Sequence, residues 1–263
     1  SMNDFKFNGT TFSYANFVKF DITKFSKHVH SDSEFLLFLS GDASYVVEHK
    51  KFALIPDVLV LSKPMQYHFI EINSADIPYE RYCVQFDLTK FPESIRNKIN
   101  GFTETLRLDK NSRVFKIMKS MRDYSDIFPP KAYPELYDSL LCELVFAASL
   151  EGSGGNVNFI EADDVTLKVL EYINAHIFEP ITLKAIADGV YTSPSSLCHR
   201  FKKSMQIGVY EYVTKKKMTL ADGLLRRGEL PLSVSAKLGY QDYSTFYRSY
   251  KAAFSRPPKA AKN

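Results

Sequence analysis

The feature that most constrains this chain is a pattern that occurs twice within residues 181–259. The first copy reads Ile186-Ala187-Asp188-Gly189-Val190, then a turn, then Ser195-Ser196-Leu197-Cys198-His199-Arg200-Phe201-Lys202. The second reads Val234-Ser235-Ala236-Lys237-Leu238, then a turn, then Ser244-Thr245-Phe246-Tyr247-Arg248-Ser249-Tyr250-Lys251. Ile186 and Val234 are 48 positions apart and Phe201 and Tyr250 are 49, so the copies differ by one residue at the turn. Self-similarity of that period marks a repeated supersecondary unit. Each copy has the form of a short helix, a tight turn and a second helix that ends basic. Two tandem helix-turn-helix units are therefore predicted, and they point to double-stranded DNA.

Charge supports the same reading. The net charge is +4, but from residue 164 onward 16 Lys and Arg stand against 8 Asp and Glu, giving +8. The remainder has 18 basic and 22 acidic residues, giving −4. A polyanion suits the C-terminal part and not the N-terminal one. With 263 residues the chain has room for two domains. No apolar run approaches the ~20 residues of a membrane span, so no membrane partner is expected. No export leader is read at the start, where Ser1 looks like a tag remnant before Met2. Cys83, Cys142 and Cys198 are scattered and odd in number. They read as reduced thiols of a cytoplasmic protein.

Residues 5–86 are rich in Phe, Tyr, Val and Ile and are broken at short intervals by turn residues. Phe35-Leu36-Leu37-Phe38-Leu39, Tyr45-Val46-Val47, Phe52-Ala53-Leu54-Ile55, Val58-Leu59-Val60-Leu61, His68-Phe69-Ile70-Glu71-Ile72 and Arg81-Tyr82-Cys83-Val84-Gln85-Phe86 all read as strands. About seven or eight short strands predict an antiparallel sandwich or barrel. The period then changes. One helical turn is expected at Pro92, an amphipathic helix over 112–123, and a longer helix over 133–150. The apolar face of that longer helix (Leu136, Leu140, Leu141, Leu144, Val145, Ala148) either covers the sheet or pairs two chains as a homodimer. Glu151-Gly152-Ser153-Gly154-Gly155-Asn156 reads as a flexible linker. The expected division is a domain over 1–150, a linker over 151–163 and a DNA-binding domain over 164–263.

Caps are expected at Asp164 for a helix to about residue 178, and at Thr182, Ser193, Ser233 and Asp242. Pro194 stands at the first helical position after Ser193. A long helix over 209–225 joins the two units.

These C-terminal residues resemble the DNA-binding domain of the AraC/XylS family of bacterial transcription regulators. The likeness lies in Ile186-Ala187-x-x-Val190-x-x-Ser193-Pro194-Ser195-x-Leu197, Phe201-Lys202-Lys203 and the joining helix from Tyr212 through Ala221-x-x-Leu224-Leu225. It continues in Leu238-Gly239-Tyr240-x-Asp242-x-Ser244-x-Phe246-x-Arg248-x-Tyr250-Lys251, with Pro257 behind. Three positions depart from the pattern. His199 stands where the family usually carries arginine, with Arg200 one place later. Gln206 replaces a common glycine, and the usual closing Tyr-Arg is absent. The N-terminal part resembles the family's cupin-like effector domains. His28-Val29-His30, Glu34 and Gly41 have the spacing of the first cupin motif, and His68 falls where the second motif has its histidine.

The chemistry follows from both readings. With Leu197 and Phe201 buried, the first recognition helix offers Ser195, Cys198, His199 and Lys202. With Phe246 and Tyr250 buried, the second offers Tyr243, Ser244, Thr245, Tyr247 and Arg248. Arg248 is the best base reader, because a guanidinium bonds guanine bidentately, at ~1–3 kcal/mol of discrimination. Lys202, Lys203 and Lys251 suit phosphates, and Lys215-Lys216-Lys217 reads either as added electrostatic affinity or, as is usual for a charge run on a joining helix, as a solvated face. Two recognition helices should meet adjacent grooves about one turn, ~34 Å, apart.

His28, His30, Glu34, Phe38, Tyr45, His68 and Tyr82 are the candidate effector contacts. The imidazoles and the carboxylate also suit a divalent metal, although none is assigned and no cofactor is expected. The expected protein is thus an α+β DNA-binding regulator, an activator responding to a small-molecule effector such as a sugar. The resemblance adds RNA polymerase as a partner. The alternatives are a metal-dependent cupin enzyme carrying a DNA-binding appendage, and a constitutive DNA-binding protein with a purely structural sandwich.

Overall fold

A computed structural model describes residues 2–18, 27–109, 111–151 and 159–259. They form two compact units. The first comprises the described residues of Ser1–Lys27, Asp32–Val47 and Lys51–Phe159, the second those of His28–Ser31, Glu48–Lys50 and Ile160–Asn263. Most of the expected linker falls outside the described residues; Glu151 itself is the last residue of a helix.

The first unit is built on strands β1 (Met2–Phe7), β2 (Thr10–Phe17), β3 (Ser33–Ser40), β4 (Asp42–Val47), β5 (Lys50–Ala53), β6 (Val58–Ser62), β7 (His68–Ser74), β8 (Tyr79–Phe86) and β9 (Thr105–Arg107). One sheet has the order β1-β2-β8-β3-β6-β9. In the second, β5, β4 and β7 lie side by side. A three-residue strand, β10 (Phe159–Glu161), closes the span. The β1–β2, β2–β8, β3–β6, β3–β8, β4–β7 and β6–β9 pairs are all antiparallel.

Alternation along each strand assigns two faces to the larger sheet. Phe12, Phe35, Leu37, Leu59, Leu61, Val84 and Phe86 face a core shared with helices. Ala15, Leu36, Phe38, Val58, Val60 and Tyr79 face the opposite way, toward Tyr45, Val47 and Phe52 of the smaller sheet. The unit is therefore a sandwich with a helical layer on its outer face.

That layer contains α1 (Glu93–Asn100), α2 (Arg113–Ser125) and α3 (Pro134–Glu151). The single turn expected at Pro92 is an eight-residue helix. Ser112 caps α2 by accepting from the Phe115 N–H. Glu151, at the end of α3, accepts from the Arg113 N–H at 2.8 Å, so a carboxylate sits at the positive end of α2. Leu141, Leu144, Val145 and Ala148 of α3 are buried in this core, with Leu136 and Leu140 packed against it. The predicted apolar face thus covers the sheet, while Phe146 and Leu150 remain exposed.

The second unit carries α4 (Asp164–Ala175), α5 (Leu183–Gly189), α6 (Pro194–Met205), α7 (Val209–Arg226), α8 (Pro231–Lys237) and α9 (Tyr243–Phe254). Three caps are as expected: Thr182 accepts from Ala185, Ser193 from Ser196 and Asp242 from Thr245. Two differ. Asp163, not Asp164, caps α4, accepting from the Val165 and Thr166 N–H groups. Helix α8 begins at Pro231 rather than after Ser233, because proline already fits the first helical position.

Candidate DNA interface and effector pocket

The two copies of the repeat bury equivalent positions. Ile186, Val190, Leu197 and Phe201 in the first match Val234, Leu238, Phe246 and Tyr250 in the second, all buried. Both second helices end alike, at a residue in the left-handed region: Gln206 after α6 and Ser255 after α9, each with φ of 54°. The glycine missing at Gln206 is thus replaced by a side chain holding the same backbone turn.

The joining helix α7 locks the copies together. Sequence periodicity read Lys215-Lys216-Lys217 as a solvated run, but Lys216 and Lys217 are buried. The Lys217 ammonium donates to the Glu179 carbonyl at 2.6 Å and to the Leu238 carbonyl at 2.7 Å. It thereby ties the chain after α4 to the end of α8. Burial lowers the Lys217 pKa, a sign that the buried charge is costly and is held by those carbonyls. Lys216 donates to the Asn174 side chain at 3.0 Å. At the same junction Gly239 has φ of 72°, and a Cβ there would stand 2.5 Å from the Glu179 carbonyl carbon. Only glycine allows the turn before α9 to approach that backbone.

Within α7, the buried Asp222 accepts from Arg226 at 2.7 Å and also from Tyr250 and Arg256. Burial, then the hydrogen bond to Asp222, raises the Tyr250 pKa. The second recognition helix is thus held to α7 by a buried charged network as well as by apolar packing.

On this frame, Ser195, Cys198, His199, Lys202 and Lys203 are exposed on α6. Tyr243, Ser244, Arg248 and Lys251 are exposed on α9, with Thr245 and Tyr247 partly buried beside them. Arg248 reaches Thr245 Oγ1 at 3.3 Å and, although its charge acts on Asp242, forms no ion pair among the described residues. Arg200, the first copy's nearest substitute for a basic reader, is engaged elsewhere, with its Nε 3.1 Å from Asp163. Asp163 also accepts from Ser204 at 3.0 Å. The asymmetry seen at His199 therefore extends to Arg200.

In the first unit, the inner face of the sandwich holds a polar cluster. Glu34 is buried and accepts from Gln85 at 2.8 Å and from the Tyr45 hydroxyl at 3.4 Å. Its carboxylate lies 3.7 Å from His68 Nε2. Tyr45 also shares a 2.6 Å hydrogen bond with Ser62. Burial, then the Glu34 charge, raises the pKa values of Tyr45 and of Cys83, so both stay protonated at neutral pH. Of the predicted contacts, the structure brings Glu34, Tyr45 and His68 together, with Phe38 on the same face.

Tyr82 does not join them. It lies three residues from Tyr79 on one strand, so it points the other way, into the helix-covered core, where its ring centroid is 5.1 Å from that of Tyr14. Burial pushes its pKa up to about 12. His28 and His30 lie in the short His28–Ser31 segment, which is grouped with the second unit. Their rings stack at 5.5 Å. Sequence reasoning missed Ser62, Gln85 and Arg81, although the alternation Tyr79-Arg81-Cys83-Gln85 would have placed the last two on the inner face.

Comparison with known proteins agrees with this architecture. The family model for an AraC-like ligand binding domain matches residues 14–123, and that for a helix-turn-helix domain matches 186–263. The chain is 30% identical over 248 residues to the uncharacterised HTH-type transcriptional regulator YobQ of Bacillus subtilis, spanning 91% of this chain and 89% of that one. It is 30% identical over 99 residues to the regulatory protein PocR of Salmonella typhimurium, covering 37% of this chain but only 33% of PocR. The crystal structure of ToxT from Vibrio cholerae O395 aligns over 95% of both chains at 15% identity, with a TM-score of 0.39. The chain belongs to the AraC/XylS family of transcriptional regulators. It combines a ligand-binding domain with a helix-turn-helix DNA-binding domain, and the relatives it matches are transcriptional regulators.

Proposed function

We propose that this protein is a cytoplasmic, homodimeric transcription activator that reads its operator chiefly through α9 and is controlled by a small molecule held inside the sandwich. The division into an effector domain over 1–150 and a DNA-binding domain over 164–263 belongs to this proposal. The observation that carries it is the exposed row on α9, with Arg248 in no ion pair while Arg200 is tied to Asp163. Arg248 reads a guanine edge, helped by Tyr243, Ser244, Thr245 and Tyr247. Lys202, Lys203 and Lys251 neutralise phosphates, and Ser195, Cys198 and His199 add weaker contacts.

A ligand at Glu34, Tyr45 and His68 acts by favouring one of two pre-existing DNA-binding states. The exposed Phe146 and Leu150 of α3 are the proposed dimer contact, and RNA polymerase is the partner that turns binding into activation. Catalysis has no part in this reading; stoichiometric metal on the purified protein would revive the cupin-enzyme alternative.

The test is Arg248→Ala against an operator selected from random DNA. Specific affinity should fall by about 1–3 kcal/mol, with nearly unchanged binding to scrambled DNA. Equal losses on both would remove the base-reading role.

A further inference from the structure

The inner face of the sandwich holds a cation that forms no ion pair with the cluster around Glu34. Arg81 lies on β8 between Ala15 of β2 and Phe38 of β3, facing the apolar layer between the sheets. Its Nε is buried and has no hydrogen-bond partner. One terminal nitrogen donates to Ser13 Oγ at 3.2 Å. Among the described residues no carboxylate forms an ion pair with it.

The nearest buried acid on this face, Glu34, opposes Gln85 rather than Arg81. Four residues of strand separate the two positions, about 13 Å at ~3.3 Å per residue. Glu34 is already engaged by Gln85, Tyr45 and His68. A guanidinium has five N–H donors and does not deprotonate in proteins. Burial penalises the Arg81 charge, and the surrounding charges, those of Glu34 and Asp4 among them, outweigh that penalty without forming an ion pair; the buried Nε is still left with an N–H to donate to a closer anion. Ala15, the neighbour across the β2–β8 ladder, offers only a methyl group beside it. Arg81 is only partly buried as a whole residue.

We propose that the effector is a small organic acid whose carboxylate pairs with the Arg81 guanidinium, with an apolar body lying along Phe38, Ile70 and Ile72. The planar fork donates bidentately to a carboxylate through Nε and a terminal nitrogen. Ile70 and Ile72 pack against this core while staying partly exposed. This inference rests on the reading of the sandwich as the effector domain and names the chemical class it takes.

The test uses the full chain, measuring thermal shifts and binding isotherms with sodium carboxylates from acetate to octanoate and phenylacetate. The matching neutral amides and a set of neutral sugars run beside them at constant ionic strength. At least one acid should raise the melting temperature saturably, while its amide does not. Arg81→Met should keep the parent's circular dichroism spectrum and a cooperative melt. It should bind that acid about ten- to a hundredfold more weakly. Arg81→Lys should retain part of the response, which keeps the test decisive if the methionine variant folds poorly. Acids and amides acting alike, or an acid response surviving in Arg81→Met, would overturn the proposal, as would a panel in which no acid binds. A neutral compound that shifts the parent and Arg81→Met equally would overturn the anion class yet leave effector control standing. No shift by any compound, together with operator affinity indifferent to all of them, would count against effector control itself.

Discussion

Lys217 offers the sharpest single test of how the DNA-binding unit is held together. In Lys217→Met the apolar stem is roughly conserved, but the ammonium that bonds the Glu179 and Leu238 carbonyls is gone. Both carbonyls then lie in a junction too tight for any side chain at Gly239. Each unsatisfied buried acceptor costs about 1–3 kcal/mol, so the gross loss is about 2–6 kcal/mol. Removing an ammonium whose burial was itself costly returns part of this. The interaction with the Tyr240 ring, 5.6 Å away, adds a smaller loss of about 0.5–1 kcal/mol. The net expectation is about 2–4 kcal/mol. The chain has no tryptophan, so urea unfolding is best followed by far-ultraviolet circular dichroism, which reports mainly on the helices. The exposed Lys184→Met is the control and should change stability by under about 0.5 kcal/mol. A loss below about 1 kcal/mol in Lys217→Met, or one no larger than in the control, would refute the staple.

Two further outcomes are expected. Burial alone would raise the Asp163 pKa, but hydrogen bonds from Thr166 and Ser204 and the Arg200 charge outweigh it and hold it below the usual 3.8. Its ionised form therefore stabilises the fold above that value, and the stability is lost as pH falls through the folded-state pKa. The stability gap between wild type and Asp163→Ala should be full at pH 6 and shrink as pH drops below 3.8 in a pH-jump denaturation series. Gly239→Ala should lower the unfolding midpoint by the equivalent of about 1–3 kcal/mol, since both positive φ and the Glu179 backbone oppose a methyl group. A neutral effect would mean that the junction can open.

The helix-turn-helix repeat was legible in the sequence because its signals are local: a serine before a proline, an aspartate before a polar turn, apolar residues at helical spacing. The strands were equally legible as runs. What escaped was direction and company. Tyr82 was grouped with Phe38 and Tyr45 by residue type, although strand parity sets it on the other face. The lysine run on α7 looked solvated because periodicity cannot show that two carbonyl groups from distant turns converge on one ammonium. The cap of α4 moved by one residue because adjacent aspartates, Asp163 and Asp164, give the same local signal; Ser204 and Arg200 converge on Asp163 only in the folded unit. Arg81 was visible only as part of a strand, since its lack of a counter-ion is a fact about its neighbours.

The approach of Gly239 to the Glu179 backbone makes the DNA-binding unit a ruler as well as a reader. The turn before α9 meets the Glu179 backbone with no room for even one methyl group. Inserting one base pair between their contact sites would rotate the second site by about 35° and displace it by about 3.4 Å. The protein has no joint at Gly239 to absorb that change. Operators for this chain should therefore drift freely in the letters between the two contact sites while keeping their number fixed.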